Sequence, residues 1–99
     1  MSNKLERPKK IQVAGVTFTV TYPTKIDSDD SLGESNAVNR TLKIHTTQKG
    51  DEFERTLLHE IIHAALGIGG VAEILHSKAE EAVVVCLENA LHSLYERRK

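Results

Sequence analysis

The segment spanning residues 51–66 constrains the fold of this chain more than any other part of the sequence. At about 100° per residue, its apolar side chains would cover more than half of the circumference of a helix. Such a helix needs neighbours on several sides, so we expect it to be central to its domain. Asp51, followed three residues later by Glu54, predicts a capping box at its start. Three glycines predict its end and a sharp reversal: Gly67, Gly69 and Gly70.

The segments that flank this helix predict an α+β domain. Residues 11–22 alternate apolar and polar side chains from Val16 onward, which predicts a pair of strands or one bent strand. Residues 34–47 predict a β-hairpin, and a second helix should start at about residue 72 or 77 and end at residue 97. The expected fold is a small, mainly antiparallel sheet of three or four strands, followed by the apolar helix and a second helix packed on it.

The second strand of the predicted hairpin, residues 41–47, has one polar face. Lys43 and His45 alternate there with apolar side chains. This pattern indicates a strand with one side open to solvent, and we expect it at an edge of the sheet. An edge strand offers unpaired N–H and C=O groups, to which an extended peptide can add as a further strand.

Length and charge limit the number of domains and the kinds of partner. At 99 residues the chain is expected to form one domain over residues 11–99, preceded by a flexible basic arm over residues 1–10. Thirteen Lys and Arg against fourteen Asp and Glu give a net charge of −1, and Trp is absent. We therefore expect no nucleic-acid partner and no anionic membrane. A DNA-binding regulator would also need basic residues on one helix face, and only the termini carry such clusters.

The single cysteine and the short apolar runs indicate a cytoplasmic protein. Cys86 cannot form a disulfide within the chain, which fits a reducing compartment, and its apolar surroundings in the sequence predict a small core residue. The longest apolar run, residues 82–87, is too short for a membrane span of about 20 residues. The first ten residues are polar and basic, and they do not lead into the apolar stretch of a signal peptide.

The predicted central helix contains His59-Glu60-Ile61-Ile62-His63, an HExxH sequence. Residues four apart lie on the same face of a helix, so both imidazoles can reach one zinc ion at about 2.0–2.1 Å. Glu60 lies beside them and can act on a proton of an attacking water. Burying two histidines and a carboxylate in an otherwise apolar helix is costly, and a bound cation would offset that cost. The sequence therefore predicts a metal at this helix.

A zinc site with two histidines needs a third protein ligand. The metzincin pattern is excluded, because Leu66 and Gly69 stand where that class has a glycine and a third histidine. A ligand that faces the two histidines after the glycine reversal should lie early on the second helix. Glu80 or Glu81 would complete a His₂Glu site there, with His76 as a rival donor.

The sequence HEIIHAALGIGG at residues 59–70, followed by EEAVVVCLENAL at residues 80–91, resembles the minimal gluzincin metallopeptidases. These include the ImmA/IrrE-type domains and short HExxH proteins encoded in phages and prophages. The resemblance covers residues 11–95. It implies a small sheet before the HExxH helix, a zinc-binding glutamate on the next helix, and hydrolysis of peptide bonds. In ImmA/IrrE-type domains small or apolar residues and one Asn follow the ligand glutamate, and Glu88 and Val85 break that pattern if Glu81 is the ligand.

Helical geometry separates the two candidate glutamates. Glu80 would project from the centre of the apolar face of the second helix, whereas Glu81 lies about 100° away at its edge, where a ligand can border an open site. We therefore predict that His59, His63 and Glu81 hold the metal. Glu80 is expected to be a solvated acid in the first turn of its helix.

These residues predict a zinc-dependent peptidase. Zinc would activate a water, Glu60 would act as the general base, and the water would attack a carbonyl of a peptide or protein substrate. The alternative is a non-catalytic protein-binding module that keeps zinc only for stability, because a structural metal helps so small a core. A closed structural site needs a fourth protein ligand and no acid beside its first histidine, so Glu60 favours catalysis.

Overall fold

The apolar alternation in the first half of the chain produces four short strands. The computed structural model describes residues 7–26 and 32–97, and within them it contains β1 (Lys10–Val13), β2 (Val16–Thr21), β3 (Gly33–Asn36) and β4 (Thr41–Ile44). Three helices follow, namely α1 (Gly50–Ile68), α2 (Val71–Ile74) and α3 (Ser77–Arg97). The molecule is a small α+β domain with a mixed sheet, which confirms the predicted class.

The four strands form one sheet in the order β1-β2-β4-β3. β1 pairs with β2, and β3 with β4, in antiparallel fashion. The predicted hairpin is therefore present, and residues 11–22 form the pair of strands, not the single bent strand that was the alternative. β2 and β4 are parallel neighbours. The sheet is therefore mainly antiparallel, with one parallel pairing at its centre that joins the two hairpins.

The prediction that residues 41–47 form an edge strand is wrong. β4 lies between β2 and β3, and the edges of the described sheet are β1 and β3. Leu42 and Ile44 of β4 have no exposed surface, because they lie in the middle of the sheet under α1. The polar face that suggested an edge is the opposite face of a central strand, where Lys43 is half-buried beside Glu34 of β3.

One face of the sheet packs against α1 and forms the core. Phe18 of β2 and Leu42 and Ile44 of β4 are fully buried, and they belong to one apolar cluster with Phe53 and Leu57 of α1. Burying a side chain of this size contributes about 1.5–3 kcal/mol. α1 contacts both the sheet and α3, so it occupies the central place that its apolar circumference predicted.

α1 begins without the predicted capping box. Gly50 is its first residue, and the N-cap residue before it, Lys49, makes no capping hydrogen bond with its side chain. Asp51 Oδ1 instead accepts a hydrogen bond at 3.0 Å from Nε2 of His92, a buried residue of α3. At the other end, Gly70 has a φ of 79°, a left-handed conformation that is easy for glycine and starts the reversal into α2.

α3 packs against α1 with only part of its apolar surface. Val84 is fully buried in that contact. Cys86 lies about 200° around the helix from Val84 and is exposed, so the prediction that it is a core residue is wrong. Leu87, Leu91 and Leu94 are also exposed. No helix in the described part of the chain combines the length and the apolar character that a membrane span requires.

The described part of the chain includes the end of the predicted basic arm. Residues 1–6 of that arm lie outside the described residues. Arg7 donates hydrogen bonds from Nη2 to the carbonyl oxygens of Thr46 and Gln48, at 3.0 and 2.7 Å. Its guanidinium also lies 5.0 Å from the centre of the Tyr22 ring. Within the predicted arm, Arg7 therefore contacts the rest of the described domain and Lys10 begins β1.

Candidate metal centre

Two histidines of α1 and one glutamate of α3 converge where these helices meet. His59 and His63, four residues apart, lie on one face of α1 with ring centroids 4.9 Å apart. The Glu81 carboxylate lies against both imidazoles: Oε2 is 3.3 Å from His59 Nε2, and Oε1 is 2.9 Å from His63 Nε2. The structure therefore brings together the three residues that the sequence predicted as metal ligands.

The donor atoms of this group are spaced suitably for a metal ion. One ligand atom from each of the three residues lies within 4.8 Å of the others. Tetrahedral ligands at about 2.0–2.1 Å from zinc lie roughly 3.3–3.4 Å from one another, so small side-chain shifts would admit the ion. Two imidazole nitrogens and a carboxylate oxygen are also ligands that zinc takes in catalytic sites. The group could therefore hold a metal ion.

A second carboxylate holds the far side of each imidazole. His59 Nδ1 donates to Glu88 Oε1 at 2.8 Å, and His63 Nδ1 donates to Glu80 Oε2 at 2.6 Å. A histidine that donates from Nδ1 in this way presents the Nε2 lone pair to a metal, and the carboxylate also fixes the orientation of the ring. Both Nε2 atoms face Glu81, so both rings direct the same nitrogen toward one carboxylate.

Glu80 and Glu88 have roles that differ from those read from the sequence. Glu80 was expected to be a solvated acid, but its side chain is only 19% exposed and accepts the hydrogen bond from His63. Glu88 broke the family pattern, and it is the partner of His59. The sequence could have indicated this contact. A residue seven positions after Glu81 lies two helical turns further along the same face of α3, which is the face that meets the histidines.

Interactions between the two helices raise the pKa of His63 and lower the pKa of Glu88. Burial alone would lower the pKa of His63, but hydrogen bonds to Glu80 and Glu81 and the charge of Glu60 raise it above its ordinary value. Burial alone would raise the pKa of Glu88, but hydrogen bonds from His59 and Arg55 lower it. Ion pairing between the two helices therefore outweighs desolvation at both positions.

Glu60, the predicted base, belongs to α1, and its side chain lies against β3. The residue is 7% exposed, and burial is the main reason that its pKa is raised. The charges of the two neighbouring histidines and a hydrogen bond from Ser35 of β3 oppose this rise. A carboxylate with a raised pKa is a better proton acceptor when ionised, as a general base must be.

Glycine at position 33 lets β3 approach Glu60 closely. A Cβ atom at Gly33 would lie 2.9 Å from Cγ and Oε2 of Glu60 and 2.9 Å from Cγ2 of Thr56. Real Cβ atoms do not approach other atoms so closely, and only a residue without a side chain fits here. Because Ser35 lies on the same face of the strand as Gly33, both residues of β3 help to hold the Glu60 carboxylate.

A pocket of about 310 Å³ opens beside His59 and Glu60. It is bordered by the start of β3, the first half of α1 and the middle of α3, through Leu32, Gly33, Arg55, Thr56, His59, Glu60 and Glu88. Ligand pockets in proteins start at about 300 Å³. The pocket therefore lies at the lower size limit for a ligand site, next to the group that could hold a metal.

A second set of metal-compatible side chains lies at the other end of the α1–α3 contact. Asp51, Glu54 and His92 each place a ligand atom within 4.8 Å of the others. Asp51 and Glu54 belong to the first turns of α1, where the positive end of the helix dipole opposes a cation. The group of His59, His63 and Glu81 is therefore the stronger candidate.

The structure does not bring His76, the rival ligand, into the group. His76 is exposed in the connection before α3. Its Nδ1 accepts a hydrogen bond from the Ala79 backbone N–H at 3.3 Å, so the side chain acts at the start of the helix. This position agrees with the common role of polar side chains at helix starts.

Comparison with protein-family models, with curated proteins and with solved structures found no match for this chain. The function of the site is therefore inferred from the residues and geometry of the chain itself.

Proposed function

We propose that this chain is a zinc-dependent peptidase, a small single-domain gluzincin-like enzyme of the kind encoded in phages and prophages. One observation carries the proposal. The Nε2 atoms of His59 and His63 point at the Glu81 carboxylate, while the Nδ1 atoms of both rings are tied to other carboxylates. A pair of histidines with only a structural role would not need two anchored rings whose Nε2 atoms both meet one carboxylate.

The number of ligands supports a catalytic centre. Among the described residues the group consists of three side chains: His59, His63 and Glu81. Catalytic zinc sites use three protein ligands and keep the fourth position for water or substrate, whereas structural sites use four protein ligands. Zinc bound here would supply a Lewis acid that polarises the scissile carbonyl and acidifies a water.

Glu60 supplies the proton transfers. Its carboxylate removes a proton from the attacking water, whose oxygen forms a bond to the carbonyl carbon. The carbon–nitrogen bond then breaks, and Glu60 returns the proton to the leaving amine. Its burial against β3 keeps the carboxylate in one place and raises its pKa toward the pH of the reaction.

The edge of the sheet suits an extended peptide. β3 is an edge strand, and its first residue, Gly33, lines the pocket together with His59 and Glu60. A substrate that adds to β3 as a fifth strand would pass this pocket and place one side chain in it. β3 therefore takes the role that the sequence had assigned to residues 41–47.

A zinc-stabilised protein-binding module is the second candidate function. α3 makes its main contact with α1, and Leu87, Leu91 and Leu94 leave part of its apolar surface exposed. A metal shared by His59, His63 and Glu81 would tie the two helices together. The single cysteine fits a reducing compartment, and for either function we propose the cytoplasm as the site of action.

Zinc content and one substitution separate the two functions. The parent chain should carry one zinc per molecule by elemental analysis, and His59→Ala or His63→Ala should lose it. Glu60→Gln should keep the zinc and abolish cleavage of unfolded peptides, because Glu60 is a base and not a ligand. Full zinc in both histidine variants would refute the metal site. Zinc-loaded parent protein that cleaves no member of a broad peptide library would favour the binding module.

A further inference from the structure

We propose that Arg55 is a positioning residue for the metal centre, and that it orients His59 by holding Glu88. The inference rests on the proposed metal site and concerns residues outside the ligand group. Arg55 lies one helical turn before His59 on α1, and both side chains meet Glu88 of α3.

Each carboxylate oxygen of Glu88 accepts a hydrogen bond from a different partner. Oε1 accepts the hydrogen bond from His59 Nδ1 at 2.8 Å, and Oε2 accepts one from Arg55 Nε at 3.1 Å. The Glu88 side chain is 14% exposed, so water competes weakly for the two bonds. Because a carboxylate is rigid and planar, fixing one oxygen fixes the direction in which the other meets His59.

Arg55 is itself held in place by α3. Its Nη2 donates to Oδ1 of Asn89 at 2.6 Å, while its Nε donates to Glu88. The guanidinium fork therefore spans two consecutive residues of α3 and cannot rotate without breaking one of the bonds. A lysine at this position would keep the charge but could not form both bonds in fixed directions.

The other histidine lacks such a support and provides an internal comparison. Glu80 holds His63 Nδ1 at 2.6 Å. Within residues 7–26 and 32–94, no Lys or Arg side chain forms an ion pair with Glu80. Loss of Arg55 should therefore disturb His59 and leave His63 unchanged.

Electrostatics alone predicts the opposite result for zinc affinity. Removing a positive charge near a cation site strengthens cation binding, because a repulsion is lost. If Arg55 acts by holding Glu88, its removal weakens zinc binding instead. Substituting residues that orient a metal ligand through hydrogen bonds costs about 10–100-fold in metal affinity. The direction of the change therefore distinguishes positioning from charge.

The test is zinc titration of the full chain against a competing chelator. Arg55→Gln should bind zinc about tenfold more weakly than the parent, and Arg55→Lys should recover less than half of that loss on a logarithmic scale. Lys78→Gln, which removes a charge from an exposed position of the first turn of α3, is the matched control and should not weaken binding. Equal or tighter binding by Arg55→Gln would overturn the proposal.

A double-mutant cycle and nuclear magnetic resonance keep the test independent of global stability. In Glu88→Gln, which still offers an acceptor to His59, adding Arg55→Gln should cause no further loss of affinity. In metal-free protein, ¹⁵N shifts of the His59 ring should move in Arg55→Gln while those of His63 stay in place. Additive losses, or equal movement of both rings, would assign Arg55 a merely structural role. A parent that binds no zinc would instead refute the proposed function.

Discussion

Replacing Gly33 by alanine tests how closely β3 packs against Glu60. The added Cβ would lie 2.9 Å from three atoms, two of Glu60 and one of Thr56. Carbon atoms in favourable contact are about 3.5–4.0 Å apart, so β3 or the two side chains must move by more than half an ångström. Overpacking of this kind costs about 1–3 kcal/mol. For a domain of this length, a cost of about 2 kcal/mol lowers the melting temperature by about 8–16 °C.

The assay is thermal unfolding of the metal-free chain, followed by circular dichroism. Gly69→Ala is the control, because its φ of −79° suits any residue and its Cβ would meet one atom, the Ala65 carbonyl oxygen at 3.3 Å, which a shift of a few tenths of an ångström relieves. This control should change the stability by less than about 0.5 kcal/mol. The comparison therefore isolates the close approach of β3 to Glu60 from the general effect of adding a methyl group.

A second background assigns the cost to Glu60. In Glu60→Ala, two of the three close contacts of the new Cβ are gone, so Gly33→Ala should cost about 1 kcal/mol less there than in the parent. If Gly33→Ala melts within about 2 °C of the parent, β3 does not hold Glu60 as described. Equal costs in both backgrounds would show that Thr56 alone resists the substitution.

Two further predictions concern the ligands and the pH. If Glu81 is the ligand and Glu80 only orients His63, Glu81→Ala should weaken zinc binding by more than about 100-fold and Glu80→Ala by about 10–100-fold. The reverse order in a chelator competition would make Glu80 the ligand. His63 has a raised pKa in the folded chain, so its stabilisation is complete below its ordinary value of 6.5 and is lost as the pH rises through the higher folded value. Metal-free protein should thus lose stability above pH 6.5 in urea unfolding, and an equal loss in His63→Gln would contradict this assignment.

Local periodicity was sufficient to predict most elements and to place the two histidines of the candidate site on one helix face. Alternation predicted the hairpin of β3 and β4 and strand structure for residues 11–22, and apolar spacing predicted a central α1. The spacing of His59 and His63 places them on one face of any helix, whatever surrounds it. These features depend on contacts between residues that are close in the sequence, so the sequence alone determines them.

The tertiary structure decided which carboxylates contact His59 and His63. Along α3, three carboxylates lie within reach of α1, those of Glu80, Glu81 and Glu88. The packing of α3 after the reversal at Gly70 determines which carboxylate oxygen contacts which imidazole nitrogen. A rotation of α3 by one residue, about 100°, would exchange the neighbouring glutamates. Sequence spacing defines a face of a helix, but it does not define the rotation of that helix against another.

The order of the strands likewise depends on contacts between residues far apart in the sequence. The hairpin of β3 and β4 could have joined β2 through either strand, and the polar face of β4 suggested the wrong one. Placing β4 at the centre buries Leu42 and Ile44 completely and leaves β3, with Gly33, at the edge beside Glu60. The sequence by itself determined the elements and the pair of histidines. Only the packing of the sheet and α3 on α1 decided which strand is the edge and which carboxylates serve the site, because those contacts join residues far apart in the chain.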